Sequence, residues 1–304
     1  MQPGKFKIAL FGNIHQERKS VAVQKFLALA TEMKVELLIP ATFLTFLTDN
    51  LQIAVPPCRI IDDIHGEPLD ADIVVCMGGD GTFLDVASRV GARQIPIVGV
   101  NTGRLGFLAN FSPDELEQVM QQLVKGKYTV ADHSVIQLTC DEQTLEGYPY
   151  ALNEIAILKH DISAMISIHT SVNGEYLTTY QADGLIVGTP TGSTAYSLSV
   201  GGPVITPCLD TISLTPVAPH SLNMRPILVD DRSVIDLCVD SRSGSFLVSL
   251  DGRSHSYRDH IHLHIRKAPY CVRVVTNPRH TFLSTLRQKM MWGADLRQGS
   301  SNAH

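Results

Sequence analysis

The chain has 304 residues, 44% hydrophobic and 18% charged, enough for two domains with a core each. Its net charge of −5 and its lack of a basic block argue against nucleic acid as a partner, and an acidic protein that handled phosphates would have to use backbone donors, a metal ion or a few placed cations. No run approaches the length of a membrane span, and six cysteines without CxxC spacing read as reduced thiols, so a cytoplasmic protein that binds no membrane is expected.

In chain order, "KIALFG" reads as a buried strand, and the stretch from Glu17 to Met33 puts Val21, Phe26, Leu29 and Ala30 on one helical face. "VELLIP", "DIVVCM" and "IPIVGV" follow as strands. Between the last two, Phe83, Leu84, Val86, Ala87 and Val90 have helical spacing. The clearest helix starts at Ser112, with Pro113 in its first turn, Glu115 closing a capping box, a stripe of Leu116, Val119, Met120 and Leu123, and Gly126 as its stop. This alternation predicts an α/β, Rossmann-like domain over residues 1–131 with a mostly parallel sheet. From 132 to 274 the period changes to short β-type runs, among them "YALNEIAIL", "GLIVGTP", "HIHLHI" and "CVRVVT", with Asn173-Gly174 as a hairpin signal and Asp251-Gly252 as a weaker one. A β-rich domain is expected there. The segment 275–304 contains a last helical pattern, "TFLSTLRQKMMWG", expected to pack back on the first domain with Trp292 as a core or interface anchor.

Within this frame one stretch poses a chemical problem. "VVCMGGDGTF" ends a strand and places Asp80 among Gly78, Gly79 and Gly81, ahead of Thr82. The GxxxxGK[ST] motif is absent, and the loop lacks GxGxxG order. One reading is a strand-to-helix turn that needs positive φ, with Asp80 as an exposed cap. The other is a phosphate cradle in which Asp80 accepts a hydroxyl proton or holds Mg²⁺. Further on, Asn153 and Glu154 lie side by side in a strand-like run, and residues 181–207 are dense in Gly, Ser and Thr, the lining expected of a polar ligand. Asn101 and Arg104 follow a parallel strand, where such sheets bind ligands. His260, His262 and His264 share a strand face, which reads as an exposed polar face rather than a metal site.

Taken together, Gly78-Gly79-Asp80-Gly81-Thr82, "NTGRLGFL", Asn153-Glu154 and "TPTGSTAYSLSVGGP" closely resemble the bacterial NAD kinase family over nearly the whole chain. The GGDGT element alone is less specific, since lipid and sugar kinases carry related loops. The resemblance implies phosphorylation of the adenosine 2′-hydroxyl of NAD, with ATP as donor, a divalent metal such as Mg²⁺ and commonly a homo-oligomer, dimer or tetramer. By motif, Asp80 is then the catalytic acid/base, with Gly79 and Gly81 at the nucleotide and Phe107 as an aromatic wall. Asn153 and Glu154 grip the NAD ribose and adenine, Asp183 serves the nicotinamide end or a neighbouring subunit, and Thr194, Ala195, Tyr196, Ser197, Leu198 and Ser199 flank the adenine. The metal has no dedicated protein ligands in this reading; nucleotide phosphates hold it, with Asp80 as the one candidate. The sequence departs from the family at Gln181, where Arg is common, at Gly188, where Ser is usual, and at Arg253, where Gln is frequent, so Arg253 becomes a candidate anion-binding cation. The alternatives are another GGDGT-loop kinase, on a lipid or sugar, and a dinucleotide-binding sensor without catalysis. The acidic composition weighs against the lipid kinase, and the intact Asp80 weighs against the sensor.

Overall fold

Short apolar runs alternating with amphipathic segments build the first part of the chain. The computed structural model describes residues 5–14, 21–62, 69–103, 106–141, 145, 147–161 and 165–293. Its elements begin with β1 (Lys7–Gly12), α1 (Val21–Glu32), β2 (Glu36–Pro40), α2 (Ala41–Thr45), β3 (Arg59–Ile61), β4 (Ile73–Met77), α3 (Asp80–Val90), β5 (Ile97–Val100) and α4 (Leu116–Val124). The order β5-β4-β1-β2-β3 is parallel throughout. Strands buried on both faces must be apolar on both, which is why β4 reads as an unbroken Ile-Val-Val-Cys-Met. α1 and α4 cover one face with Phe26, Leu116 and Met120, and α3 covers the other with Phe83 and Val86. The predicted capping box is present, with the Ser112 N–H donating to Glu115 Oε2 at 2.8 Å.

The second part is β-rich: β6 (Val130–Cys140), β7 (Tyr150–Ala151), β8 (Glu154–Lys159), β9 (Ile166–Val172), β10 (Glu175–Ala182), β11 (Gly184–Gly188), the short α5 (Tyr196–Ser199), β12 (Thr211–Val217), β13 (Ile227–Asp230), β14 (Ile235–Ser241), β15 (Ser245–Leu250), β16 (Arg253–Arg258) and β17 (His262–Val275), before α6 (Phe282–Met290). Six antiparallel strands, β13-β12-β11-β8-β15-β16, form a sheet whose inner face packs on β9, β14 and β17 through Val187, Ile157, Phe246, Leu237 and Leu263. Both hairpin signals are realised: Asn173-Gly174 joins β9 to β10 and Asp251-Gly252 joins β15 to β16, each pair at positive φ.

Two predicted runs correspond to one element. Most of "HIHLHI" and "CVRVVT" falls in the single 14-residue strand β17, whose pairing with β6 shifts register between Lys267 and Cys271. Its last turn pairs in parallel with β5 through Val274 and Ile97, so one sheet of eleven strands runs through both parts of the molecule.

α6 returns to the first part, where the Phe282 ring meets Phe107 at 5.6 Å. The turn before it is seated by Glu115, which accepts from Asn277 Nδ2 at 3.2 Å and lies 3.7 Å from His280 Nε2. Trp292, expected as a core or interface anchor, is not in the core of the chain: it is 58% exposed beyond the end of α6. Among the described residues no helix is long and apolar enough to cross a membrane.

Candidate functional site

The glycine loop does not have the geometry of the first of its two readings. None of Gly78, Gly79 and Gly81 has positive φ, and Asp80, as first residue of α3, makes no capping bond, so a strained turn with an aspartate cap is excluded. Among the described residues, a Cβ at Gly79 or Gly81 would meet no atom within 4 Å, so packing of those residues does not demand these glycines. Asp80 instead turns toward the loop after β5. Its Oδ1 accepts the N–H groups of Leu108 and Ala109 at 3.0 Å each, and its Oδ2 accepts that of Phe107 at 2.9 Å. This is possible because residue 106 is glycine: a Cβ there would lie 2.0 Å from Asp80 Oδ1. Lys289, in the last turn of α6, places Nζ 3.2 Å from Asp80 Oδ2 and 5.0 Å from the Phe107 ring centroid. Asn101 shapes the same loop, its Oδ1 accepting from the Gly103 N–H at 2.6 Å, while Arg104 lies outside the described residues.

Asn153 and Glu154 sit at a break that the sequence does not announce. "YALNEIAIL" reads as one strand, but β7 pairs with β6 in one sheet and β8 belongs to the other, so the chain changes sheets at Leu152-Asn153. The N–H groups of Leu152, Asn153 and Glu154, which no ladder can use there, all donate to the Asp251 carboxylate at 2.7–3.1 Å. The following loop closes over them. The Thr189 N–H donates to Asn153 O at 2.9 Å, and Gly192 lies so near that its Cβ would be 2.1 Å from the same carbonyl oxygen. The result is a pair of buried acceptors without partners among the described residues, Asn153 Oδ1 and Glu154 Oε2. Burial, aided by the charge of Asp251, pushes the Glu154 carboxyl up to about 7, against the pull of the Tyr196 N–H.

Leu152 shares its core with Phe83, Val86 and Ala87 of α3, so the helix that begins at Asp80 and the break that carries Asn153 and Glu154 pack as neighbours. Beside Phe107 a cleft of about 870 Å³ reaches His133 on β6 and the residues leading into α6, in the size range of small-molecule pockets, but Asp80, Asn153 and Glu154 do not line it. His133 is buried, with Nδ1 2.9 Å from Thr191 Oγ1, and burial lowers it to about 4, so it is neutral at physiological pH.

The other expected residues divide. Tyr196 is partly exposed next to Glu154, and Thr194, Ala195, Leu198 and Ser199 share its loop and short helix. Ser197 faces inward: its Oγ is 3.1 Å from Thr215 Oγ1 in the buried interior. Ser193 likewise exchanges two bonds with the Ile205 backbone, so part of the hydroxyl density attributed to a ligand holds the loop together. Arg253 is turned to the β7 side, donating to Tyr150 O at 2.7 Å over the Tyr148 ring. Asp183 pairs with Lys159 at 2.7 Å, at the end of β8 and β11 opposite Glu154, so this chain does not bring it to Asp80. Gly188 is buried, with Ser213 Oγ 3.0 Å from where its Cβ would be. His264 bonds Asp236 and Asp141, and His260 bonds Asp240, so carboxylates take up this histidine face; among the described residues no His/Cys/Asp/Glu group is arranged to hold a metal ion. Lys289 and His133 carry part of the geometry without standing out in the sequence, and Asp251, legible there only as a turn residue, carries another part.

A family model of the ATP-NAD kinase N-terminal domain matches residues 21–128, and one of the ATP-NAD kinase C-terminal domain matches residues 152–276. An NAD kinase of Bacteroides fragilis is 52% identical over 96% of this chain and 99% of its own length, and one of Porphyromonas gingivalis is 43% identical over the same shares. Yeast NADH kinase, solved in complex with NADH, has the same fold: TM-score 0.85 at 22% identity, over 97% of this chain and 90% of that one. An NAD kinase from Archaeoglobus fulgidus, solved in complex with ATP, superposes with a TM-score of 0.71 at 25% identity, over 95% of this chain and 98% of the other.

Proposed function

The chain belongs to the ATP-NAD kinase family and carries its activity, phosphorylation of NAD, and we propose that it acts on the adenosine 2′-hydroxyl with ATP as donor and Asp80 as base. The observation that carries this reading is the pair of buried acceptors without partners among the described residues, Asn153 Oδ1 and Glu154 Oε2. They match the hydroxyl and amine donors of an adenosine, and their burial makes an unpaired state costly. In the reaction the 2′-oxygen attacks the γ-phosphorus, its proton passes to Asp80, the bond from the γ-phosphorus to the bridging oxygen breaks, and ADP leaves. Phe107 offers an aromatic wall for the nucleotide, and the lack of side chains at Gly79 and Gly81 lets phosphate approach the start of α3.

A divalent ion does not fit on Asp80 in the arrangement seen. All four lone-pair positions of the carboxylate are taken by Phe107, Leu108, Ala109 and Lys289, and among the described residues no cluster replaces it. Magnesium, in this reading, travels with the ATP phosphates. Asp183 serves a second copy of the chain, consistent with its position at the far end of β8, and the protein works as a homo-oligomer in the cytoplasm. Neither a lipid nor a sugar kinase reading is favoured by the family match. The test is incubation with ATP, Mg²⁺ and NAD, followed by an NADP-specific dehydrogenase. NADP should form with the wild-type chain, and Asp80→Asn should lose about 10²- to 10⁴-fold in kcat while the NAD Kd moves only a few-fold. No NADP with any divalent ion, or near-normal turnover in Asp80→Asn, would overturn the assignment.

A further inference from the structure

A carboxylate in a glycine cradle repels the phosphate that the cradle admits. We propose that Lys289 of α6 is the positioning residue that resolves this conflict: it holds Asp80 before the nucleotide arrives and then shifts to lie between the carboxylate and the donor phosphate. The inference rests on Asp80 as the base of the reaction.

Three features of the structure support it. Asp80 is saturated, with Oδ1 occupied by two backbone donors and Oδ2 by one backbone donor and the Lys289 ammonium. To take a proton it must lose one of the four. The three N–H groups are backbone donors of Phe107, Leu108 and Ala109, close before the Val100–Phe111 bridge to β5, whereas Lys289 sits on a flexible side chain, 38% exposed. The ammonium also lies over the Phe107 ring, which gives it a second attractive site as it leaves Oδ2. The turn leading into this helix is docked independently of Asp80, through the Glu115 clamp, while the Phe107–Phe282 ring contact ties the helix to a residue that itself donates to Asp80. α6 therefore delivers a cation to the catalytic carboxylate from more than 200 residues away in sequence, 209 by number.

The experiment is a double-mutant cycle on ATP binding in the presence of Mg²⁺, read by calorimetry, with Asp80→Asn, Lys289→Gln and the double variant, and turnover measured alongside. Lys289→Gln should weaken ATP at least about tenfold and lower kcat, while leaving the NAD Kd within about twofold. In the Asp80→Asn background the same change should cost less than about threefold, because the charge that Lys289 offsets is gone. Lys289→Arg should restore most of the ATP affinity. Equal losses of ATP affinity in both backgrounds, or parallel losses of ATP and NAD binding with a lower melting temperature, would show a merely structural lysine and overturn the proposal. Unchanged ATP binding in Lys289→Gln would also overturn it. A wild-type chain that made no NADP would instead sink the functional reading, so the two failures are distinct.

Discussion

Glu154 is the residue whose chemistry is set most clearly by its surroundings. Its folded value of about 7 lies above the ordinary 4.5, so the folded chain holds a proton that the unfolded chain releases. Its contribution favours folding below pH 4.5 and is lost as the pH rises through about 7, a change on the order of 3 kcal/mol for a shift of this size. Glu154→Gln should flatten that decline in urea melts taken from pH 4.5 to 8. An adenosine that donates to Oε2 favours the ionised form, so NAD binding at pH 6.5 should release a proton, seen as a buffer-dependent calorimetric heat. His133 works in the opposite direction: its value falls to about 4, so the stability from its neutral form is present above pH 6.5 and is lost as the pH drops toward 4. Gly106 is tested by size alone. In Gly106→Ala the new Cβ collides with Asp80 Oδ1, and kcat should fall by about 10²-fold or more as the base is displaced, with circular dichroism unchanged.

At the scale of elements, the break between β7 and β8 depends on one side chain. Asp251→Ala would strand three buried N–H groups, at about 1–3 kcal/mol for each left unsatisfied, and release Asn153 and Glu154 from their places. Urea denaturation should report the lost stability and calorimetry a more than tenfold weaker NAD complex, while Asp251→Asn, which keeps an acceptor oxygen, should fall between. This device also shows what a sequence can and cannot reveal. The parallel strands were legible because burial on both faces leaves an unbroken apolar run, and Asn173-Gly174 because the hairpin demands positive φ at both positions. The sheet change at Leu152 was hidden because its cause, Asp251, lies 97 to 99 residues away. β17 was split in the reading because Pro269 and a register shift interrupt its alternation, and β12, with Pro216 inside it, was absent from the predicted strands. Motif residues of the site are recognisable, Gly106 among them within "NTGRLGFL", but Lys289 is not, because it meets Asp80 only in three dimensions.

The whole molecule leaves two kinds of edge uncovered. β10 ends the eleven-stranded sheet with Tyr176 64% exposed, and β13 ends the six-stranded one with Leu228 47% exposed. Pairing of copies along such edges would cover apolar surface. Light scattering at micromolar concentration should give at least twice the 33.3 kDa of one chain; a single-chain mass throughout would remove this expectation and leave Asp183 without a ligand to serve.

The strand shared by both parts has a consequence for how the protein is born. β5, the inner border of the parallel sheet, waits for Val274 as its neighbour, and β6 and β14 wait for the same fourteen residues. At about 5–20 residues per second, a ribosome needs roughly 15–55 s to reach residue 275. Throughout that time neither half has its final border, and the emerging chain presents open strand edges to the cell. Growth temperature and chaperone supply should therefore govern the yield of active enzyme more than its melting point does.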